Sequence, residues 1–249
     1  MRVVELLGAP GSGKTTLARQ LAQGLGGAIE LEEAVRSSIR ERGDDSVARI
    51  VARVTRSSSS RLWKGAYSRS TDRFSALARF IGEKPETLEA VLAAQRHRVD
   101  RDRGQDLALG WVLNLMARYQ LAVEGRGSSD WVVIDEGFSQ RAVALFGHGF
   151  TAGDGDWLAA YLAAVPRPDV VVLVETPRPT CASRLDARGW SDRVVGLSAV
   201  ERLGFLETSE RVVETVSAWV EEAGIRLLRV DGTESATTTI ATLVGLLED

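Results

Sequence analysis

The chain has a single cysteine, Cys181, so it can form no intrachain disulfide and no cysteine-rich metal site, which suits a reducing cytoplasm. No apolar run approaches the roughly 18 residues that a membrane-spanning helix needs, and no charged segment followed by an apolar one precedes the first strand-like run. A soluble, cytoplasmic protein without a membrane partner is expected. The net charge is −3, which leaves no basic excess of the kind that marks a nucleic-acid binder. Lysine is scarce: of 31 basic residues only Lys14, Lys64 and Lys84 are lysines.

What is present is a core-forming chain of 249 residues, 44% hydrophobic, long enough for one domain with an insertion. Five short apolar, β-branched-rich runs stand out, Val3–Leu7, Ala28–Leu31, Trp131–Ile134, Val170–Val174 and Arg226–Val230, separated by helical stretches. Continuous apolar strands alternating with amphipathic helices predict an α/β fold: a five-stranded parallel sheet covered on both faces, a three-layer α/β/α sandwich. The interval from Glu32 to Asp130 contains no strand signal. It predicts helices, among them Ser46–Val54 with Val47, Ile50, Val51 and Val54, Arg73–Ile81 with Phe74, Leu77, Ala78 and Ile81, and Leu107–Val123 with Leu109, Val112, Leu113, Met116, Ala117 and Leu121 on one face. Ser57 to Ser60 and Lys84-Pro85 read as breaks between them. Residues 1–249 are thus expected to be one domain, with 36–130 a helical insertion. From Arg36 to Arg103 the net charge is +7, against −10 for the rest: either solvated helix faces or a segment that wraps an anionic ligand.

The strongest chemical signal is Gly8-Ala9-Pro10-Gly11-Ser12-Gly13-Lys14-Thr15, the spacing G-x-x-x-x-G-K-[ST], set between the first strand and an amphipathic helix with Leu17, Ala18, Leu21, Ala22 and Leu25 on one side. Its glycines let successive N–H groups point at phosphate oxygens, and the helix presents its positive end to the same anion. Gly8, Pro10, Gly11, Ser12, Gly13, Lys14, Thr15 and Thr16 are therefore expected to hold ATP, with Lys14 on the β- and γ-phosphates and the Thr15 hydroxyl on Mg²⁺.

Two further signals follow. Trp131-Val132-Val133-Ile134-Asp135-Glu136 is a strand ending in two carboxylates, which beside the phosphate-loop strand places Asp135 as a magnesium carboxylate. Glu32 and Glu33 follow the second strand at the same sheet edge, where a carboxylate faces either an acceptor hydroxyl or solvent at a helix N-terminus. Arg184 and Arg188, one turn apart, and Arg193 beyond a glycine-containing turn follow the fourth strand. They read as a closing cluster that neutralises charge on a transferring phosphoryl group, or as an ordinary surface helix.

In this order the signals resemble the P-loop kinases of small molecules, particularly the thymidylate kinase and deoxynucleoside kinase group. Glu33-Ala34-Val35 is similar to the Glu-Pro-Val of deoxynucleoside kinases, whose Glu is the base. Cys181 to Gly189 looks like their lid, with its Cys-x-x-Arg-[IL]-x-x-Arg-Gly pattern, and Val230-Asp231-Gly232-Thr233 resembles the loop bordering adenine, which adds Gly232 to the ATP contacts. The third strand departs from the group's Asp-Arg or Glu-Arg ending: here it is Asp135-Glu136, with Arg141 one turn later as a substitute for the arginine.

The resemblance implies an ATP- and Mg²⁺-dependent kinase acting on a small-molecule acceptor, a nucleoside, nucleotide, sugar or antibiotic hydroxyl, anionic if the basic segment wraps it. Lys14, Glu33 or Glu136, Asp135, Arg184, Arg188 and Arg193 would do the chemistry, and a homodimer stays open beside a monomer. The basic segment is expected to wall the acceptor pocket, with Glu33 facing the hydroxyl. The alternative is a nucleotide-dependent switch or regulatory ATPase acting through a protein partner. For that class the sequence lacks the Asn-Lys-x-Asp of guanine switches, Asn114 being its only asparagine, and the Leu-Ser-Gly-Gly-Gln of ABC ATPases.

Overall fold

The computed structural model describes residues 2–55, 57, 60–98, 105–125 and 129–248. Ser58 and Ser59 of the expected break, and the end of the basic segment past Arg98, lie outside them. Strands β1 (Arg2–Leu7), β2 (Ala28–Glu30), β3 (Trp131–Ile134), β4 (Val170–Glu175) and β5 (Arg226–Asp231) form one parallel sheet in the order β2-β3-β1-β4-β5. The central strand is the one that carries the phosphate loop, with Val4 opposite Val133 on one side and Val170 on the other.

The inner strands β1, β3 and β4 are mostly apolar because both faces are covered, Glu5 being a buried exception, while the edge strands β2 and β5 are only partly buried. On one face Val4, Leu6, Val133, Val170 and Val172 pack with Leu17, Leu21 and Leu25 of α1 (Lys14–Gly24) and its following turn and with Leu243 and Leu247 of α12 (Ala236–Glu248). On the other, Val3, Leu7, Val132, Ile134, Val171 and Leu173 meet α2 (Leu31–Arg42), α7 (Gln105–Glu124), α8 (Phe138–Phe146), α9 (Gly155–Ala164) and α11 (Ala199–Glu222). Each fully buried Val or Leu stabilises the sheet by about 1.5–3 kcal/mol relative to exposure. This is the three-layer α/β/α sandwich that the sequence predicts. Helix α10 (Arg178–Arg188) follows β4.

The connection from β2 to β3 is helical among the described residues: α2, α3 (Ser46–Val54), α4 (Arg61–Arg69), α5 (Thr71–Glu83), α6 (Pro85–Arg98) and α7. Asp45 caps α3, its carboxylate accepting from Val47 N at 2.9 Å and Ala48 N at 3.0 Å. Pro85 opens α6, where its missing N–H costs nothing. Two apolar faces differ from expectation. In α3 the buried residues are Ala48 and Ala52, while Val47, Ile50 and Val54 are 64%, 58% and 70% exposed. In α5 Ala76 and Phe80 are buried and Phe74 is exposed. No described helix is long and apolar enough to cross a membrane.

Candidate active site

The residues between β1 and α1 form a tight loop. Gly11 and Gly13 have φ of 86° and 106°, in the left-handed region that glycine adopts without strain. Gly11 has no room for a side chain either, since a Cβ there would lie 2.6 Å from the carbonyl oxygen of Cys181. Lys14, the first residue of α1, arches back over the loop, its ammonium donating to Gly8 O at 2.8 Å and Ala9 O at 2.9 Å. Burial pushes the Lys14 ammonium down to about 8, Glu136 and Asp135 pull it back up, and Arg188 adds to the depression.

Two cavities open on either side of this loop. The first, about 190 Å³, is bounded by Pro10, Lys14, Thr15, Glu136, Arg141 and Trp111, with His148, Phe205, Trp190 and Arg193 closing its far side. The second, about 370 Å³, lies between Ser12, Gly13, Arg184 and the turn after β5 at Asp231 and Gly232. Gly11, Gly13, Thr16 and Arg188 border both.

The β3 end splits its two carboxylates. Glu136 faces the first cavity and pairs with Arg141 at 2.8 Å. Burial pushes the Glu136 carboxyl up, but Arg141 and Lys14 outweigh it and hold the group below the usual range, so it is ionised at neutral pH. Asp135 is half-buried, borders neither cavity, and lies close enough to influence Lys14. Among the described residues no group of three His, Cys, Asp or Glu side chains could hold a metal unaided. The Thr15 hydroxyl, exposed on the first cavity, and the Asp135 carboxylate are the hard oxygen donors that Mg²⁺ takes alongside nucleotide phosphates, so the donor chemistry fits that ion.

The three arginines after β4 do different things. Arg184 is a latch: its guanidinium donates to Ser12 O at 3.0 Å and Gly232 O at 2.9 Å, bridging the phosphate loop and the β5 turn. Gly232 must be glycine, as a Cβ would sit 2.7 Å from Ser12 O. Arg188 is exposed, borders both cavities and has no ion-pair or hydrogen-bond partner among the described residues. Arg193 donates to Ala144 O and lies 5.8 Å from the Trp111 ring, as does Arg141, so the indole stands against two cations.

Glu33 stands apart from this constellation. Both its carboxylate oxygens are taken by Arg36, whose guanidinium also donates to Ala52 O and Thr55 O at 2.9 Å and so ties α2 to the end of α3. Glu32 points elsewhere, to Arg118 of α7 at 2.6 Å. Neither glutamate borders the first cavity, and no described residue of the basic segment 36–103 lines it; Trp111 of α7 does. The fold therefore brings together the phosphate loop, Glu136, Arg188 and Arg193 at the first cavity, and adds Trp111, Gln140, His148 and Phe205, which the sequence does not announce as site residues. Trp111 had only its place in an apolar helix to announce it, and His148 and Phe205 meet, with ring centroids 4.5 Å apart, only through tertiary structure.

Residues 4–100 match the family described as ATPase family associated with various cellular activities (AAA), which is less than half of the chain. No curated protein matches the sequence. Among solved structures, deoxyadenosine kinase from M. mycoides with bound dATP superposes over 99% of this chain and 100% of its own at 12% identity and a TM-score of 0.54. The same enzyme with the products dCMP and dCDP gives 13% identity and 0.51 over 99% and 98%. Thymidylate kinase from Candida albicans gives 12% and 0.50 over 99% and 91%. At such identities it is the architecture that is shared: the chain has the P-loop fold of the nucleoside and nucleotide kinases, in divergent form.

Proposed function

We propose that the protein is an ATP- and Mg²⁺-dependent phosphotransferase that moves the γ-phosphoryl group to a small-molecule hydroxyl, most simply that of a nucleoside, nucleotide or related compound. The observation that carries this is the pair of cavities meeting at one phosphate loop, because transfer needs a donor pocket and an acceptor pocket with the reacting oxygens brought in line between them. The nucleoside end of ATP belongs in the second cavity beside Arg184 and Gly232, and its phosphates on the loop amides and Lys14. The acceptor belongs in the first, where Trp111, Trp190, Phe205 and His148 offer faces for a planar ring and Arg141, Arg188 and Arg193 favour an anionic group. Glu136, ionised and half-exposed, orients the acceptor hydroxyl and takes its proton; Arg188, untethered, closes over the transferring group. Magnesium, held by Thr15 and Asp135 with the phosphates, would neutralise charge on the β- and γ-oxygens.

The test is ADP release measured with and without nucleosides, nucleoside monophosphates and sugars; acceptor-dependent release supports transfer. The AAA match over residues 4–100 favours a second reading, a nucleotide-dependent regulatory ATPase, for which release would be the same with every acceptor and with none.

Two outcomes are expected beyond turnover. Asp135→Asn should raise the Mg²⁺ concentration needed for half-maximal activity, since it removes a formal charge without removing volume; an unchanged magnesium titration would put the metal elsewhere. ADP affinity should fall about tenfold as the pH rises from 7 to 9.5, because Lys14 loses its charge on passing about 8, the charge-assisted contact being worth roughly 1.5–3 kcal/mol. Calorimetry on Lys14→Met should show no such step.

A further inference from the structure

The first residue of the phosphate loop is held by both of its backbone polar groups. Its carbonyl accepts from the Lys14 ammonium at 2.8 Å, and its N–H donates to Oε1 of Gln140 at 3.0 Å, a buried bond between residues 132 positions apart. Gly8 cannot relax away from that contact, since its α-carbon is so close to β4 that a Cβ would lie 2.7 Å from Val174 O.

Gln140 is itself fixed by β1. The Glu5 carboxyl group, buried in the sheet, accepts from Phe138 N at 2.9 Å and Ser139 N at 2.8 Å, gripping the first turn of α8. Gly137 passes so near that a Cβ there would meet the Glu5 carboxyl carbon at 2.2 Å, and the Tyr161 hydroxyl donates to Phe138 O at 2.9 Å. The same α8 turn supplies Gln140 and Arg141 to the first cavity. Because an N–H occupies Oε1, the amide orientation is fixed, and its Nε2 has no hydrogen-bond partner among the described residues.

We propose that Gln140 is a positioning residue that sets the phosphate loop from the wall of the acceptor cavity, so that the loop amides and the Lys14 ammonium keep their places only while α8 keeps its own. Gln140 has this role within the phosphotransferase and rests on that reading for the identity of the cavity, not for the hold on Gly8.

The experiment follows hydrogen exchange at the Gly8 amide, together with ADP affinity by calorimetry, in Gln140→Met and Gln140→Glu. Methionine keeps the volume and removes the acceptor; glutamate keeps the acceptor. In Gln140→Met the Gly8 amide should exchange at least about tenfold faster while the amides of Val4 and Leu6 stay protected, and ADP should bind about tenfold more weakly, the usual consequence of leaving a buried donor unpaired. In Gln140→Glu the Gly8 amide should stay as protected as in the wild type. Gln140→Asn, which draws the carbonyl back by one methylene, should reproduce the Gly8 loss if the methionine variant does not fold. Unchanged Gly8 exchange in the methionine or asparagine variant overturns the proposal, as does uniform loss of protection along β1, which is the signature of packing alone. None of these measurements needs an acceptor, so a protein without acceptor-dependent turnover would lose the kinase reading and keep this one.

Discussion

Lys14→Ala is expected to lower acceptor-dependent ADP release by about 10²–10³-fold, the usual loss when one charge-stabilising contact to a transferring phosphoryl group is removed. The fold should survive. The ammonium donates only within the loop, to Gly8 O, Ala9 O and the Ser12 hydroxyl, and the neighbouring core of Leu17, Leu21 and Leu6 is formed by other residues. A circular dichroism spectrum and thermal midpoint close to the wild type, with turnover gone, would satisfy the expectation; turnover at the wild-type rate would remove the phosphate loop from the mechanism.

The larger effect is expected at Glu136. Glu136→Gln should reduce kcat by about 10²–10⁴-fold, the range of a general base, while ADP affinity changes little. Glutamine keeps the shape and hydrogen-bonding length of the side chain that meets Arg141, so a loss of this size would report the proton acceptor and not the packing. Glu33→Gln is the informative companion. Its carboxylate serves Arg36 and the α2–α3 junction, so the variant should turn over within a few-fold of the wild type. Reversal of the two results would move the acceptor to the β2 edge and restore the deoxynucleoside-kinase arrangement that Glu33-Ala34-Val35 suggests.

The choice between those glutamates shows where sequence reading stops. Strand ends are legible because a strand buried on both faces has to be a short apolar run, and all five runs fall where the strands are. The phosphate loop is legible because its glycines and lysine sit at fixed spacing in one segment. Helix phase is not. Since α2 begins at Leu31, Glu32 and Glu33 leave the helix about 100° apart and reach Arg118 and Arg36 respectively, a difference that depends on a start point known only from the fold. The same limit explains α3. Periodicity reveals a stripe of Val47, Ile50 and Val54 but not the neighbour, and α2 receives the opposite side, where Ala48 and Ala52 let the helices approach closely. The first cavity is the least legible part, because Trp111, Glu136, His148 and Phe205 come from four separate stretches of chain.

The strand order carries a consequence for how the molecule is made. β1 leaves the ribosome before the other four strands, yet its two neighbours are β3 and β4, so Val4 waits for Val133 and then for Val170 before it is enclosed. Closing such long loops is entropically slow, and until it happens an apolar strand with both edges open is available to other chains. Completion of β4 during synthesis therefore sets the earliest moment at which the nascent protein is protected from aggregation.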